Sequence, residues 1–215
     1  MAADEKPGGS RLEDARARMY RDLIFESAEC VFGARGFDGA TMQEIASEAG
    51  VSLKTIYSSY PGKRELFEAI MHERGAAFHE HVRQAVLRAH GGPVEQLSAL
   101  TRAFVEFMFT HRDWLAIHLR SRIAWSVRPG HEVAAHLWRR GLEDLERLVA
   151  EGISSGVFMA GDPRELAVLL NTIMKVEATF AADRGETDPE PVARRTFAHL
   201  TRLLGVPADY APPGS

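Results

Sequence analysis

Apolar positions along this chain recur at helical spacing almost from end to end, and no stretch alternates in the two-residue rhythm of a strand. The first periodic run covers residues 11–35, with Met19, Leu23, Ala28, Val31 and Phe32 on its stripe and Gly36 as its stop. Phe37 is expected to fold back onto a small core. Two short helices come next, at 41–48 and 52–58. Thr41 and Glu44 form a capping box at the first, Ile45, Ala46 and Ala49 give it an apolar face, and Gly50 ends it. Val51 points inward, and Ser52 caps the second. Pro61-Gly62 then opens a long helix of 62–90, striped by Leu66, Phe67, Ile70, Met71, Ala77, Phe78, Val82, Ala85 and Val86. Beyond Gly91-Gly92-Pro93, helices are expected at 93–110, 112–125, 131–155, 163–184 and 188–204. Arg128-Pro129-Gly130, Asp162-Pro163 and Asp188-Pro189 serve as punctuation. The predicted fold class is all-α.

Composition adds bounds. A chain of 215 residues accommodates one large or two small domains. The opening MAADEKPGGS has no apolar signal region, and no apolar run approaches the length of a membrane helix. The single cysteine, Cys30, fits a reducing compartment, so a cytoplasmic location without membrane attachment is expected. The formal charge of −4 gives no support for a nucleic-acid partner. Residues 1–66 do not either, with nine basic and eleven acidic side chains. Most of Arg11, Arg16, Arg18 and Arg21 read as a solvated face paired with Glu13, Asp14 and Asp22, with one or two within reach of the minor groove or a flanking phosphate as the alternative. Residues 51–64 differ, because they hold Lys54, Lys63 and Arg64 and no acid, the local basic edge that phosphate contact requires.

Helix, glycine turn, helix is the helix-turn-helix pattern, in which the second helix enters the major groove of DNA. Helix 52–58 is too short to persist alone, so its neighbours must hold it. Ile56 then faces inward, leaving Leu53, Lys54, Thr55, Tyr57 and Ser58 for outward faces. Lys54 has the reach to donate to guanine or to phosphate. Thr41 and Lys63 lie at helix N-termini, where backbone amides already favour a phosphate. The expected DNA-contact set is Thr41, Ser52, Lys54, Thr55, Tyr57, Ser58 and Lys63.

Ala28, Phe32, Gly36, Phe37, Thr41, Ile45, Ala46, Ala49, Gly50, Val51, Ser52, Thr55, Ile56, Tyr57, Tyr60, Lys63, Leu66 and Phe67 fall at the fixed points of one pattern. On these residues, the segment 23–67 resembles the DNA-binding domain of the TetR family of bacterial transcription regulators. The resemblance implies that Thr55 and Tyr57 stand at positions that commonly touch the DNA backbone. It also implies that helix 62–90 links the domains mechanically. Lys54 stands where the family often has Gly, Tyr60 where it usually has Phe, and Gly62 where it often has Ser. The implied organisation is a flexible arm at 1–10, a three-helix helix-turn-helix domain at 11–61, a helical effector-binding and dimerisation bundle at 62–205, and a tail at 206–215.

The C-terminal half resembles the family only loosely, and there the resemblance implies architecture rather than chemistry. An apolar or amphipathic effector is expected among Phe104, Phe107, Met108, Trp114, Trp125, Trp138 and Met174, oriented by His118, Arg122, Asn171 and Glu177. A homodimer interface is expected on Leu169, Ile173, Val176 and Phe180, with Phe197, Leu200 and Leu204. One short reading helix spans too few bases for a specific site, which also argues for a dimer on a pseudo-palindromic double-stranded operator.

No cofactor, metal or catalytic activity is expected. Nine histidines invite a metal site, but Glu-x-x-His, HExxH, CxxC, a P-loop and GxSxG are all absent from the sequence. The leading expectation is a ligand-released repressor. An activator or a DNA-organising protein on the same fold stands beside it, and a helical metal or redox enzyme is a distant alternative.

Overall fold

A computed structural model describes residues 7–120, 132–207 and 210. Among the described residues it holds nine helices and no strand. They are α1 (Pro7–Gly39), α2 (Met42–Glu48), α3 (Leu53–Ser59), α4 (Lys63–Arg88), α5 (Pro93–Thr110), α6 (Arg112–Arg120), α7 (Glu132–Ser154), α8 (Pro163–Asp183) and α9 (Pro189–Leu203). None of these is long and apolar enough to cross a membrane. The chain forms two compact units, Met1–Ile70 and Met71–Ser215, so the division falls inside α4. The sequence suggested 61/62 instead. The first turns of α4 carry Leu66 and Ile70, both fully buried, into the N-terminal unit.

In that unit α1 starts at Pro7, earlier than expected, and breaks at Gly36 (φ 73°). The core is built from Ile24, Phe25, Ala28, Val31, Phe32, Ala40, Met42, Ile45, Ala46, Ile56, Leu66 and Ile70. Met19 and Leu23, expected on the inner stripe, are exposed, and the buried face is instead the one bearing Ile24 and Phe25. After the break, Phe37 returns to the core. Its ring lies 6.1 Å from Phe32 and 5.1 Å from Phe67.

The C-terminal unit is a helical bundle with core residues on every helix from α5 to α9. Val94, Leu97, Phe104, Val105, Leu115, Ile117, Leu145, Val149, Leu170, Ala178, Val192 and Leu200 are all buried. Its helix starts obey the punctuation of the sequence. Asp162 accepts from the Glu165 amide at 2.9 Å and Asp188 from the Glu190 amide at 3.0 Å, each just ahead of a proline at the first helical position. Leu204 lies past the end of α9, and its carbonyl accepts from the Met159 amide at 2.8 Å, tying the α7–α8 connection to the end of α9.

Gly152, in the last turn of α7, is the tightest point of this unit. The chain turns back so that the amides of Val157 and Phe158 both donate to the Gly152 carbonyl, at 3.0 and 2.9 Å. The buried Phe158 ring occupies the place where a Cβ on Gly152 would stand. Ala is the better helix former by about 1 kcal/mol, yet here it forces Phe158 out of its seat, at a cost of about 1–3 kcal/mol. Gly152→Ala is therefore expected to lower stability in urea denaturation. A gain in midpoint would show that the ring yields freely.

Candidate nucleic-acid and effector sites

The two short helices are locked by their own side chains. Thr41 is extended at the start of α2, and its Oγ1 accepts from the Glu44 amide at 3.2 Å. The Thr41 amide and hydroxyl both donate to the Glu44 carboxylate, at 3.0 and 2.9 Å, and Arg35 pairs with the same carboxylate at 2.8 Å. At the turn, the Val51 amide donates to the Ala46 carbonyl at 3.0 Å and the Gly50 amide to the Ser47 carbonyl at 3.2 Å. Gly50 has φ 63°, the left-handed conformation this helix end requires and that side chains resist. Ser52 then caps α3, accepting from the Thr55 amide at 3.1 Å, and the two hydroxyls lie 2.7 Å apart. Ile56 is the one fully buried side chain of α3.

These bonds sort the seven expected DNA contacts. Thr41 has its proton on Glu44, Ser52 and Thr55 share one between them, and Ser58 donates to the Thr55 carbonyl at 2.7 Å. Lys63 is turned inward. Its Nζ donates to the Ala40 carbonyl at 2.8 Å and to the Asp38 carbonyl at 3.4 Å, and it lies 4.7 Å from the centre of the Phe37 ring. It is a clamp on the end of α1, because the carbonyls there have no helical partners of their own. Lys54 and Tyr57 remain. Both are exposed on α3, Tyr57 by 47%, and neither has a partner among the described residues. Arg64, exposed on the first turn of α4, adds a third cation to this edge. Tyr60 packs against Phe25, with ring centres 5.8 Å apart.

In the C-terminal unit, Phe104, Phe107, Met108, Trp114 and Met174 are buried, as an apolar pocket or a plain core would both require. Phe78 of α4 stands 5.6 Å from Phe104, 5.3 Å from Phe107 and 5.8 Å from Trp114, ring centre to ring centre. The polar groups beside this cluster do not share one fate. Glu177 is fully occupied. Arg195 donates to one of its oxygens at 2.8 Å and His199 lies 3.0 Å from the other, so it ties α8 to α9 instead of orienting a ligand. Arg122 and Trp125 lie outside the described residues, as does the side chain of Trp138.

His118 lies against Trp114, with ring centres 4.1 Å apart, and its Nδ1 is 2.9 Å from the Trp114 carbonyl. A carbonyl only accepts, so in the neutral ring Nδ1 carries the proton and Nε2 presents a lone pair. Burial lowers its pKa to about 4 and the Lys175 charge adds to the shift, while the bond to Trp114 opposes them. Lys175 itself is pushed down to about 8 by burial. The indole N–H of Trp114 is buried and has no hydrogen-bond partner among the described residues, at a cost of about 1–3 kcal/mol. Lys175 escaped the sequence reading, although a lysine one turn beyond Asn171 in LAVLLNTIMKVEATFAA was a visible signal.

A surface cleft of about 510 Å³ lies elsewhere in this unit, between α4 and α5, lined by His81, Gln84, Arg88, His90, Glu95 and Arg102 among others. None of the expected effector residues lines it. Its charged members are engaged in part, Arg102 with Glu190 at 2.7 Å and Glu95 with the Gly92 amide at 2.7 Å.

The expected dimer face divides. On α8, Leu169, Val176 and Phe180 are 48, 43 and 47% exposed, and with half-buried Ile173 they form an apolar stripe at helical spacing. On α9, Phe197 is half-buried. Leu200 and Leu204 are fully buried in the chain's own core and have no surface to offer a second copy. The reason is that α9 packs on α5 and α8 through the very side on which these leucines lie.

Comparison with known proteins agrees with this architecture over most of its length. The family model described as bacterial regulatory proteins, tetR family, matches residues 24–70, and the Tetracyclin repressor-like C-terminal domain matches residues 90–204. The chain belongs to the TetR family and is a DNA-binding transcriptional regulator. It is 26% identical over 200 residues to the uncharacterized HTH-type transcriptional regulator YhgD of Bacillus subtilis, covering 86% of this chain and 94% of that one. Over 103 residues it is 35% identical to the HTH-type transcriptional activator FasR of Mycolicibacterium smegmatis, covering 47% of this chain and 46% of FasR. Among solved structures, FadR from Bacillus subtilis in complex with stearoyl-CoA shares the fold, with a TM-score of 0.69 at 18% identity over 83% of this chain and 96% of that one.

Two expectations separate the polar groups that hold these sites from those free to act. Lys54→Ala is expected to weaken DNA binding and flatten its salt dependence by about one unit per reading helix, while stability stays within about 0.5 kcal/mol. Lys63→Ala is expected to lose about 1–2 kcal/mol of stability as well, because the end of α1 loses its donor. Equal stability of the two variants in urea would contradict the clamp. For His118, the folded value lies below the unfolded one, so the unfolded chain takes up the proton first. The stability that depends on the neutral ring is present above pH 6.5 and is lost as the pH falls toward 4. Between pH 7 and 5 the wild type should lose about 2 kcal/mol more than His118→Asn, whose δ-amide stands where Nδ1 does and can donate to the Trp114 carbonyl. Equal losses would show that the ring is not held neutral.

Proposed function

We propose that this regulator is a homodimeric, cytoplasmic repressor that leaves a pseudo-palindromic operator when a small apolar or amphipathic effector occupies its C-terminal unit. The observation that carries the reading is the division of polar groups on the helix-turn-helix. On α3 the Thr55 hydroxyl meets that of the capping Ser52 and the Ser58 hydroxyl donates to the Thr55 carbonyl, leaving Lys54, Tyr57 and Ser59 as exposed polar groups without a partner among the described residues. These groups are too few to specify a site, and two copies held one helical turn apart double the readout. The apolar stripe of Leu169, Ile173, Val176 and Phe180 is the surface on which the second copy is built.

The aromatic cluster of Phe78, Phe104, Phe107 and Trp114 supplies the apolar side of the effector site. Effector and DNA then oppose one another reciprocally, each through its different affinity for two states of the protein. Covalent continuity of α4 across the unit boundary supports it as the link between them. The likeness to FasR, whose name says activator, favours a second reading in which the same binding raises transcription.

Selection of bound fragments from random DNA by the purified protein tests the reading. Enrichment of a two-fold symmetric site is expected, with half-sites about one helical turn apart. Loss of that enrichment in Phe180→Glu, together with monomers in sedimentation, would place the second copy on α8. An asymmetric site bound by a monomer would contradict the proposal.

A further inference from the structure

We propose that α8 pairs with its own copy antiparallel and in one register, with Leu169 on Phe180 of the second copy, Ile173 on Val176, and Glu165 ion-paired to Arg184. This rests on the proposal that the second copy is built on α8, and it adds the direction, the register and the charges that fix them. The carrying observation is the order of side chains along the exposed face. Glu165, Leu169, Ile173, Val176, Phe180 and Arg184 follow one another at intervals of four, four, three, four and four residues. At 3.6 residues per turn they stay within about 100° of arc. The face that bears Leu170, Met174 and Ala181 is buried in the chain's own bundle. The intervals read the same from either end, and an acid at one end answers a base at the other.

A two-fold axis across a helix brings residue i onto j and j onto i. Placed midway between Ile173 and Val176, it sets Leu169 against Phe180 and Glu165 against Arg184, each contact made twice. The larger apolar side chains then flank a centre of β-branched ones, and opposite charges close both ends. The parallel arrangement sets each residue on itself, so Glu165 meets Glu165 and Arg184 meets Arg184. Like charges at both ends oppose it. An antiparallel register one turn away sets Glu165 on Phe180, or Arg184 on Leu169, and covers a charge with apolar surface. Arg184 is placed to make the pair. Its side chain is 58% exposed, its guanidinium lies 5.6 Å from the centre of the Phe180 ring, and it stands 3.5 Å from Glu186. Glu186 has a nearer partner in Arg195, at 3.2 Å. Glu165 is exposed in the first turn of α8.

Cysteines read the register. A Cys30→Ser background removes the chain's single thiol. In it, full chains carrying Leu169→Cys or Phe180→Cys are oxidised separately and as a co-expressed pair. Disulfide-linked dimers are expected from the pair alone. Two copies of position 169 stand about 16 Å apart along the helix axis, beyond the roughly 4–7 Å that a disulfide spans between Cα atoms. A second set of variants reads the charges. Arg184→Glu is expected to weaken the dimer about tenfold in sedimentation, the scale of two surface charge pairs. Adding Glu165→Arg should restore it. Rescue separates the contact from a local effect, because the new Glu at 184 meets Glu186 of its own chain in both variants. Linkage of Leu169→Cys to itself, no linkage in a co-expressed pair that sediments as dimers, or no rescue by the double reversal would overturn the proposal. Such a result, with dimers that Phe180→Glu still separates, leaves the α8 interface standing. A wild-type monomer, or a Phe180→Glu dimer, removes the reading on which the proposal rests.

Discussion

A helix of seven residues does not persist alone in water, because nucleation costs more than so few hydrogen bonds return. α3 is such a helix, and it is the element that must meet DNA. What fixes it is the complete burial of Ile56 in the core made by α1, α2 and the first turns of α4. Removing a buried side chain of this size from a core costs about 2–5 kcal/mol, more than the intrinsic stability of any seven-residue helix. The capping bonds of Ser52, the left-handed turn at Gly50 and the clamp of Lys63 all serve this seating. The reading surface is thus a property of the whole N-terminal unit.

The same constraint explains why so few groups remain for DNA. Hydroxyls at the starts of α2 and α3 are consumed in holding the helices. Glu44 caps α2, pairs with Arg35 and places a carboxylate where a phosphate would otherwise be drawn to the helix end. On the proposed reading, affinity then comes from the exposed cations at Lys54 and Arg64, from Tyr57, and from doubling them. The net charge of the chain is uninformative for a related reason, since it also sums groups such as Arg83, Arg102, Arg164 and Arg195 that are paired within the C-terminal unit.

The sequence made the helices legible wherever a local signal controlled them. Caps at Thr41, Ser52, Asp162 and Asp188, and stops at Gly36 and Gly50, set boundaries within a few residues of those observed. Burial was less legible where two faces of one helix are both apolar. Met19 and Leu23 matched the helical period as well as Ile24 and Phe25 did, and only the packing of α2 on α1 chooses between them. Leu200 and Leu204 failed likewise, because a stripe on α9 does not say whether it meets its own bundle or another copy. Lys63 was assigned to phosphate because its carbonyl partners, at 38 and 40, lie more than twenty residues away in sequence. The role of Glu177 was hidden for the same reason, since it depends on Arg195 and His199 of another helix.

In the C-terminal unit, Glu177 and Arg195 brace α8 against α9, while the buried indole N–H of Trp114 has no hydrogen-bond partner among the described residues. On the proposed reading, an effector bound in this unit acts on DNA by changing how two copies of α3 are presented. Hydroxyl-radical footprinting on a selected operator tests that presentation most directly. Two protected segments are expected, centred about 34–36 Å apart along one face of the duplex. A single protected segment, or two at a spacing that is not a whole number of helical turns, would contradict it.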